Sequence, residues 1–211
     1  MTEQLIQGST EWLQARCGLV TASRVADIVA KTKSGYSASR ANYMAELIAE
    51  RLTGQPAPSY SNAAMEWGTL NEQGARAAYE FFTDASVVEV GFIKHPTIDQ
   101  AGASPDGLVA DDGLVEIKCP NTSTHIDTLI GGKVPGKYQT QMLWQMACTG
   151  RQWCDFLSYD PRLPANIRTF VKRLHRDDAE IERLETEVRA FLDELSEKID
   201  ALNNLNMKEA A

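Results

Sequence analysis

The sequence predicts an α/β fold, a mixed β-sheet of about five strands with helices on both faces, because strand-like and helix-like stretches alternate along the chain. Two further observations support it. Residues 102–120 (GASPDGLVADDGLVEIKCP) read as a strand, a tight connection and a second strand. The 211 residues, 43% of them hydrophobic, suffice for one sizeable core, and no repeat, low-complexity run or composition break marks a boundary. A single domain over 1–211 is expected, with 203–211 a frayed tail.

Taken in order, Ser9-Thr10 ahead of Glu11-Trp12 caps a short helix that Gly18 ends. Thr21 or Ser23 caps the next helix, which buries Val25, Ile28 and Val29. Its free N–H groups and dipole, with Arg16 just upstream, suit a terminal phosphate. Lys31–Tyr36 reads as a flexible basic loop. Ser37 or Ser39 opens a helix with Tyr43, Leu47, Ile48 and Leu52 inward, stopped by Gly54. Residues 55–62, with two prolines, read as a loop. Residues 63–83 read as a helix whose apolar side draws on Leu70, Ala77, Ala78, Phe81 and Phe82. Ser86–His95 reads as one strand, stopped by Pro96.

In the central stretch, Pro105 and Gly107 bend the chain around Asp106, and Asp111-Asp112-Gly113 supplies a hairpin turn because Asp and Gly tolerate positive φ. Leu114–Cys119 then alternates, with Glu116 and Lys118 on one face and Val115, Ile117 and Cys119 on the other. Asn121 begins a capped helix, and Gly131–Gly136 is a glycine-rich loop without P-loop spacing. Residues 138–148 form a helix, Trp153–Tyr159 a strand, and Ile167–Leu174 an edge strand carrying Arg168, Lys172 and Arg173. Asp177–Leu202 is a long acidic helix striped by Ile181, Leu184, Val188, Phe191, Leu195, Ile199 and Leu202, a face for the core or for another subunit.

The hairpin carries chemistry. It can bring Asp106 beside the face of Glu116, so two carboxylates and the Lys118 ammonium converge. Hard anionic oxygens suit Mg²⁺, with Mn²⁺ as a substitute, and such an ion can generate hydroxide and neutralise a phosphodiester. Lys118 could orient the nucleophile or stabilise the transition state.

Pro-Asp followed after nine residues by Glu-Ile-Lys matches the PD-(D/E)XK nuclease signature. Its flanks, SPDGL and LVEIKCP, resemble the lambda-type exonucleases, the YqaJ-type viral recombinase nucleases. So do Trp12-x-x-x-Arg16-x-Gly18-x-x-Thr21-Ala22-Ser23 and Trp67-Gly68-x-x-x-Glu72-x-x-Ala75-Arg76. The resemblance covers most of residues 11–160. It implies a restriction-endonuclease-like core in which Asp106, Glu116 and the carbonyl of Ile117 hold Mg²⁺ while Lys118 and Glu72 position the attacking water. It implies that Arg16, Ser23 and Ser104 bind a DNA 5′-phosphate, and that a glutamine of the 138–148 helix, Gln141 or else Gln139, approaches the scissile phosphate. Met65 stands where the family has an apolar wedge, and a core role is equally open to it; Trp12 is a core anchor or a platform for DNA. The family's arginine in the phosphate pocket is replaced by Thr124, so the pocket is weaker or is completed by His125 or a basic residue of the first loop. The activity implied is 5′-to-3′ digestion of one strand of linear duplex DNA to mononucleotides. With it come a ring-shaped homotrimer threaded by DNA, a single-strand-annealing recombinase partner, and a phage or prophage gene acting in the bacterial cytoplasm.

The net charge of −8 argues against holding DNA by charge alone. Its distribution is uneven: −8 over 61–129, +5 over 130–175 and −6 over 176–211. Carboxylates gathered around divalent ions are compatible with a DNA substrate, since the ions invert the local sign. Cys17, Cys119, Cys148 and Cys154 show no paired spacing and read as reduced thiols of a cytosolic protein. No secretory signal and no apolar run of membrane-spanning length is expected. An endonuclease on the same core, or a DNA-binding protein without catalysis, are the rival readings.

Overall fold

The computed structural model describes residues 5–58 and 63–209, with side chains to 205. In chain order the elements are α1 (Thr10–Arg16), β1 (Val20–Thr21), a 3-10 turn (Ala22–Arg24), α2 (Val25–Val29), β2 (Lys31–Thr32), β3 (Gly35–Tyr36), α3 (Ala38–Thr53) and α4 (Ala63–Thr83). There follow β4 (Val87–Val88), β5 (Ile93–Lys94), β6 (Ala101–Ala103), β7 (Gly107–Val109), β8 (Gly113–Lys118), α5 (Thr122–Gly131), α6 (Gly136–Thr149), β9 (Trp153–Tyr159), β10 (Thr169–His175) and α7 (Asp178–Glu209). The loop expected over 55–62 lies partly outside the described residues. Helix α7 runs through most of the segment read as a tail. No described helix is long and apolar enough to cross a membrane.

The main sheet has the order β10-β9-β8-β7-β4, with β8 and β9 parallel and the other pairs antiparallel. Period two in β8 serves two cores. Leu114, with Cys154 and Phe156 of β9, faces the larger core built from α2, α3, α6 and α7. Val115 and Ile117, with Leu157, face Ala75 and Tyr79 of α4. The stripe of α7 is buried from Ile181 to Leu195, and Leu202 emerges beyond the core.

A smaller sheet, β1-β6-β5, accounts for one correction. β6 and β7 are two halves of a strand bent at Ser104-Pro105-Asp106, each half in a different sheet. Their antiparallel partner must break as well, so the single strand expected over 86–95 becomes β4 on β7 and β5 on β6. Gln7 holds the bend, donating from Nε2 to the carbonyls of Pro105 (2.8 Å) and Val90 (3.0 Å).

Other expectations change for local reasons. The Lys31–Tyr36 segment is a two-stranded ribbon whose Lys31 and Tyr36 bind Glu187 of α7. Leu52 is exposed. On α4, Leu70 (80% exposed), Ala77, Phe81 (93%) and Phe82 (70%) face outward. Helical spacing identifies a stripe but not which stripe meets the sheet. Tyr79 takes the inner place because its hydroxyl donates to buried Asp155 Oδ2 at 2.9 Å, and Arg173 grips the same carboxylate at 2.8 and 2.9 Å.

In the β7–β8 turn the positive φ falls on Ala110 (49°), not on Asp or Gly. Gly113 is required for a different reason: a Cβ there would lie 2.0 Å from the Trp153 ring. Gly113→Ala is expected to lower stability by about 1–3 kcal/mol through overpacking, read as a fall in the urea midpoint.

Asp160 ties the β9–β10 connection to α5, accepting from Thr122 Oγ1 (2.7 Å) and Arg162 Nε (2.7 Å). Burial alone would raise its pKa, but the Arg162 and Thr122 bonds outweigh it and hold the carboxyl at about 2. A carboxyl depressed in this way stabilises the fold above its unfolded pKa, and that stability is lost as pH falls through the folded value. With Arg162 partly exposed, about 1–2 kcal/mol should disappear between pH 4 and 2, and urea midpoints of Asp160→Asn should lack that part of the acid limb.

Candidate active site

The register Gly107↔Val115 puts Asp106 across from Glu116 at the end of the β7–β8 pairing. There the Asp106 carboxylate takes over from the strand, accepting from the Ile117 amide at 2.6 Å. Glu116 is fully buried, its Oε2 accepting from Gln145 Nε2 at 2.5 Å and its Oε1 lying against the Lys118 ammonium. Burial first, and the Glu116 charge second, push the Asp106 carboxyl up to about 8, with Lys118 opposing them. Burial likewise pulls Lys118 down, yet Glu116 and Asp106 more than restore it, so its pKa lies above the usual lysine range.

Asp106, Ile117, Lys118 and Glu72 line one groove of about 560 Å³ together with Met65, Lys137 and Tyr138. Glu72 reaches this groove from α4 and pairs with Arg76 at 3.3 Å. Among the described residues no three His, Cys, Asp or Glu side chains cluster closely enough to hold a metal ion. The Asp106 and Glu116 carboxylates, crowded together and relieved by Lys118, the Ile117 amide and Gln145, are hard oxygen donors of the kind that would fit a divalent cation keeping several waters.

The parallel pairing Val20↔Ala101 and Thr21↔Gly102 sets the 3-10 turn that carries Ser23 beside the end of β6, just before Ser104. Arg16, Ser23, Ser104, Asp106 and Gln141 line a cavity of about 160 Å³ there. Trp12 organises it. Its indole N–H donates to Ser104 Oγ at 3.0 Å, leaving the hydroxyl proton free for a ligand, and Arg16 stacks on its ring at 3.7 Å. Arg16 pairs with no carboxylate among the described residues, its buried Nε has no hydrogen bond, and burial lowers its pKa. A desolvated guanidinium beside free hydroxyls is a receptor for a phosphate. The expected helix N-terminus does not contribute: the chain enters a 3-10 turn without a side-chain cap, and α2 is only five residues long.

The YqaJ-like viral recombinase domain profile matches residues 11–152, a span that contains the lining of both cavities apart from Gln7. The chain belongs to this family. An alkaline exonuclease of Laribacter hongkongensis is 57% identical, covering 95% of this chain and 99% of that one, with a TM-score of 0.88. Its crystal structure in complex with dAMP gives a TM-score of 0.89 over the same coverage. A phage-related exonuclease of Haemophilus somnus 129PT shares the fold at 14% identity, with a TM-score of 0.70 over 87% of this chain and 96% of that one. No curated protein matches the chain.

Several expected residues of this YqaJ-like chain lie elsewhere. Thr124 is exposed on α5, where its N–H donates to the Asn121 cap. His125 cannot complete the phosphate pocket, since its ring is buried between Ser158 Oγ (2.7 Å) and the Ile167 carbonyl (2.9 Å). Lys31 is held by Glu187. Gln139 donates to the Val134 carbonyl at 2.7 Å and stays outside both cavities. Met65 is 54% exposed and lines the groove rather than the core. Sequence reasoning missed Gln145 on Glu116 and the double role of Trp12. The available signal for Gln145 was its spacing, four residues after Gln141 on the same helix face.

Proposed function

We propose that this chain is a Mg²⁺-dependent exonuclease that digests one strand of linear double-stranded DNA from its 5′ end to mononucleotides. One observation carries the reading: Asp106 lines both the Arg16 cavity and the Lys118 groove, so an end phosphate and the next phosphodiester can be held side by side. The similar Laribacter enzyme is an alkaline exonuclease solved with dAMP, a deoxynucleoside monophosphate of the kind such digestion releases.

Asp106, Glu116 and the Ile117 carbonyl would hold Mg²⁺, with Mn²⁺ able to substitute. When bound, the ion would supply an activated water and neutralise charge on the phosphodiester. Arg16, Ser23 and Ser104 would grip the 5′-phosphate and set the register of cleavage. Lys118 and Glu72 would orient the attacking water in line with the scissile bond, and Gln141, in the same cavity as Ser104 and Asp106, would fix the phosphate. Met65 would part the strands at the mouth.

A homotrimeric ring around DNA is part of the same reading. It is supported by the outward apolar face of α4 and by a net charge of −8, which leaves enclosure as a better means of holding DNA than attraction. The role proposed is phage-type recombination in a bacterial cytoplasm beside a single-strand-annealing protein.

The test is digestion of a linear duplex beside a closed circle, with Mg²⁺ and with EDTA. Loss of the linear form alone, only with Mg²⁺, is expected; cutting of the circle would identify an endonuclease, and no cutting would return the chain to a binding role. Arg16→Gln should reduce the preference for a 5′-phosphorylated over a 5′-hydroxyl end by about tenfold or more, the worth of a charge-assisted pair, in initial rates on the two substrates.

A further inference from the structure

Gln145 lies in the middle of α6 with no exposed surface, among buried Trp144, Met146 and Cys148. A primary amide in such a place is costly unless its groups are bonded. Its Nε2 donates to Glu116 Oε2 at 2.5 Å, and its Oε1 accepts from the Cys154 thiol at 3.9 Å. An ionised carboxylate only accepts, so the amide meets it with its N–H rather than its carbonyl, and the carbonyl is left toward the Cys154 thiol, which also lies 4.0 Å from the Asp155 carbonyl. Glu116 Oε2 is thereby occupied from behind, and Oε1 is the oxygen turned toward Lys118.

We infer that Gln145 is a positioning residue for the cation: it holds the Glu116 carboxylate in one rotamer with a single oxygen presented to the metal. This rests on the metal-site reading above and adds a determinant that lies outside both cavities. Outer contacts of this kind commonly govern metal affinity by about 10–100-fold when removed.

The experiment is Mn²⁺ binding to the DNA-free protein, followed by the paramagnetic signal of the free ion, for the wild type, Glu116→Gln and Gln145→Leu, with circular dichroism to confirm the fold. Gln145→Leu should bind Mn²⁺ about tenfold or more weakly, and in cleavage the Mg²⁺ concentration for half-maximal rate should rise by a similar factor. Native-like Mn²⁺ affinity in Gln145→Leu, with affinity lost in Glu116→Gln, would overturn the positioning role and leave the metal site standing. Unchanged affinity in Glu116→Gln, or no binding by the wild type, would overturn the metal site itself. Should Gln145→Leu fail to fold, Gln145→Met, which keeps length and volume without the amide, gives the same comparison.

Discussion

Lys118→Ala is expected to lower strand cleavage by about a thousandfold while leaving DNA binding and the fold in place. The ammonium lies against Glu116 Oε1, lines the groove with Asp106 and Glu72, and sits 5.4 Å from the centre of the Tyr138 ring. It is the cation in direct contact with the buried Glu116, and its pKa is raised by Glu116 and Asp106 despite burial, so it stays charged through the working pH range. A fixed positive charge there serves the attacking water and the charge that builds on phosphate oxygens in the transition state. Removing it also leaves Asp106 and Glu116 facing each other, so the variant should melt lower than wild type in EDTA and gain more from added Mg²⁺. Single-turnover kinetics and melting curves with and without Mg²⁺ check both parts. Normal turnover in Lys118→Ala would remove Lys118 from the chemistry.

Arg173→Ala should cost about 3 kcal/mol of stability without touching the active site. Asp155 is 3% exposed on β9, and among the described residues Arg173 supplies two of the three hydrogen bonds its carboxylate receives from side chains, the third coming from Tyr79. With Arg173 gone, a buried carboxylate keeps only the tyrosine hydroxyl, which is the expensive way to break a buried pair. Arg173 itself is 44% exposed and stacks over Trp153 at 3.5 Å, so solvent screening keeps the effect below the top of the usual range. Asp155→Leu combined with Arg173→Met and Tyr79→Phe should recover most of the loss, because no buried polar group is then left unpaired. Urea midpoints of the single and triple variants give the comparison, and a loss below about 1 kcal/mol in Arg173→Ala would mean that water or a rotated side chain satisfies Asp155.

These two predictions draw on parts of the molecule that were unequally legible in the sequence. The alternation in Leu114–Cys119 placed Glu116 and Lys118 correctly, because strand periodicity is rigid and both faces of β8 are filled. The pairing of Asp106 with the Glu116 face followed from the hairpin. Harder to read was the outcome of competition between surfaces. Tyr79 displaced Phe81 and Phe82 from the inner face of α4 because a buried carboxylate on β9, 76 residues away, needed its hydroxyl. The broken 86–95 strand was hidden for a similar reason, since its division depends on the bend of its partner at Pro105. The resemblance grouped Arg16, Ser23 and Ser104, and these three line one cavity. Gln145 was not legible, because its role depends on the parallel register of β8 and β9, which sets Cys154 beside Leu114 and the Glu116 strand within reach of α6.

The most direct test of the central claim is a time course on one linear duplex in two versions, labelled at the 5′-terminal phosphate or at the 3′ end, in Mg²⁺. The account predicts that the 5′ label leaves first and at once as a mononucleotide, while the 3′ label persists on a steadily shortening strand. Early release of the 3′ label, or release of the 5′ label on long fragments, would contradict the placement of a terminal phosphate at Arg16 beside the cutting centre at Asp106.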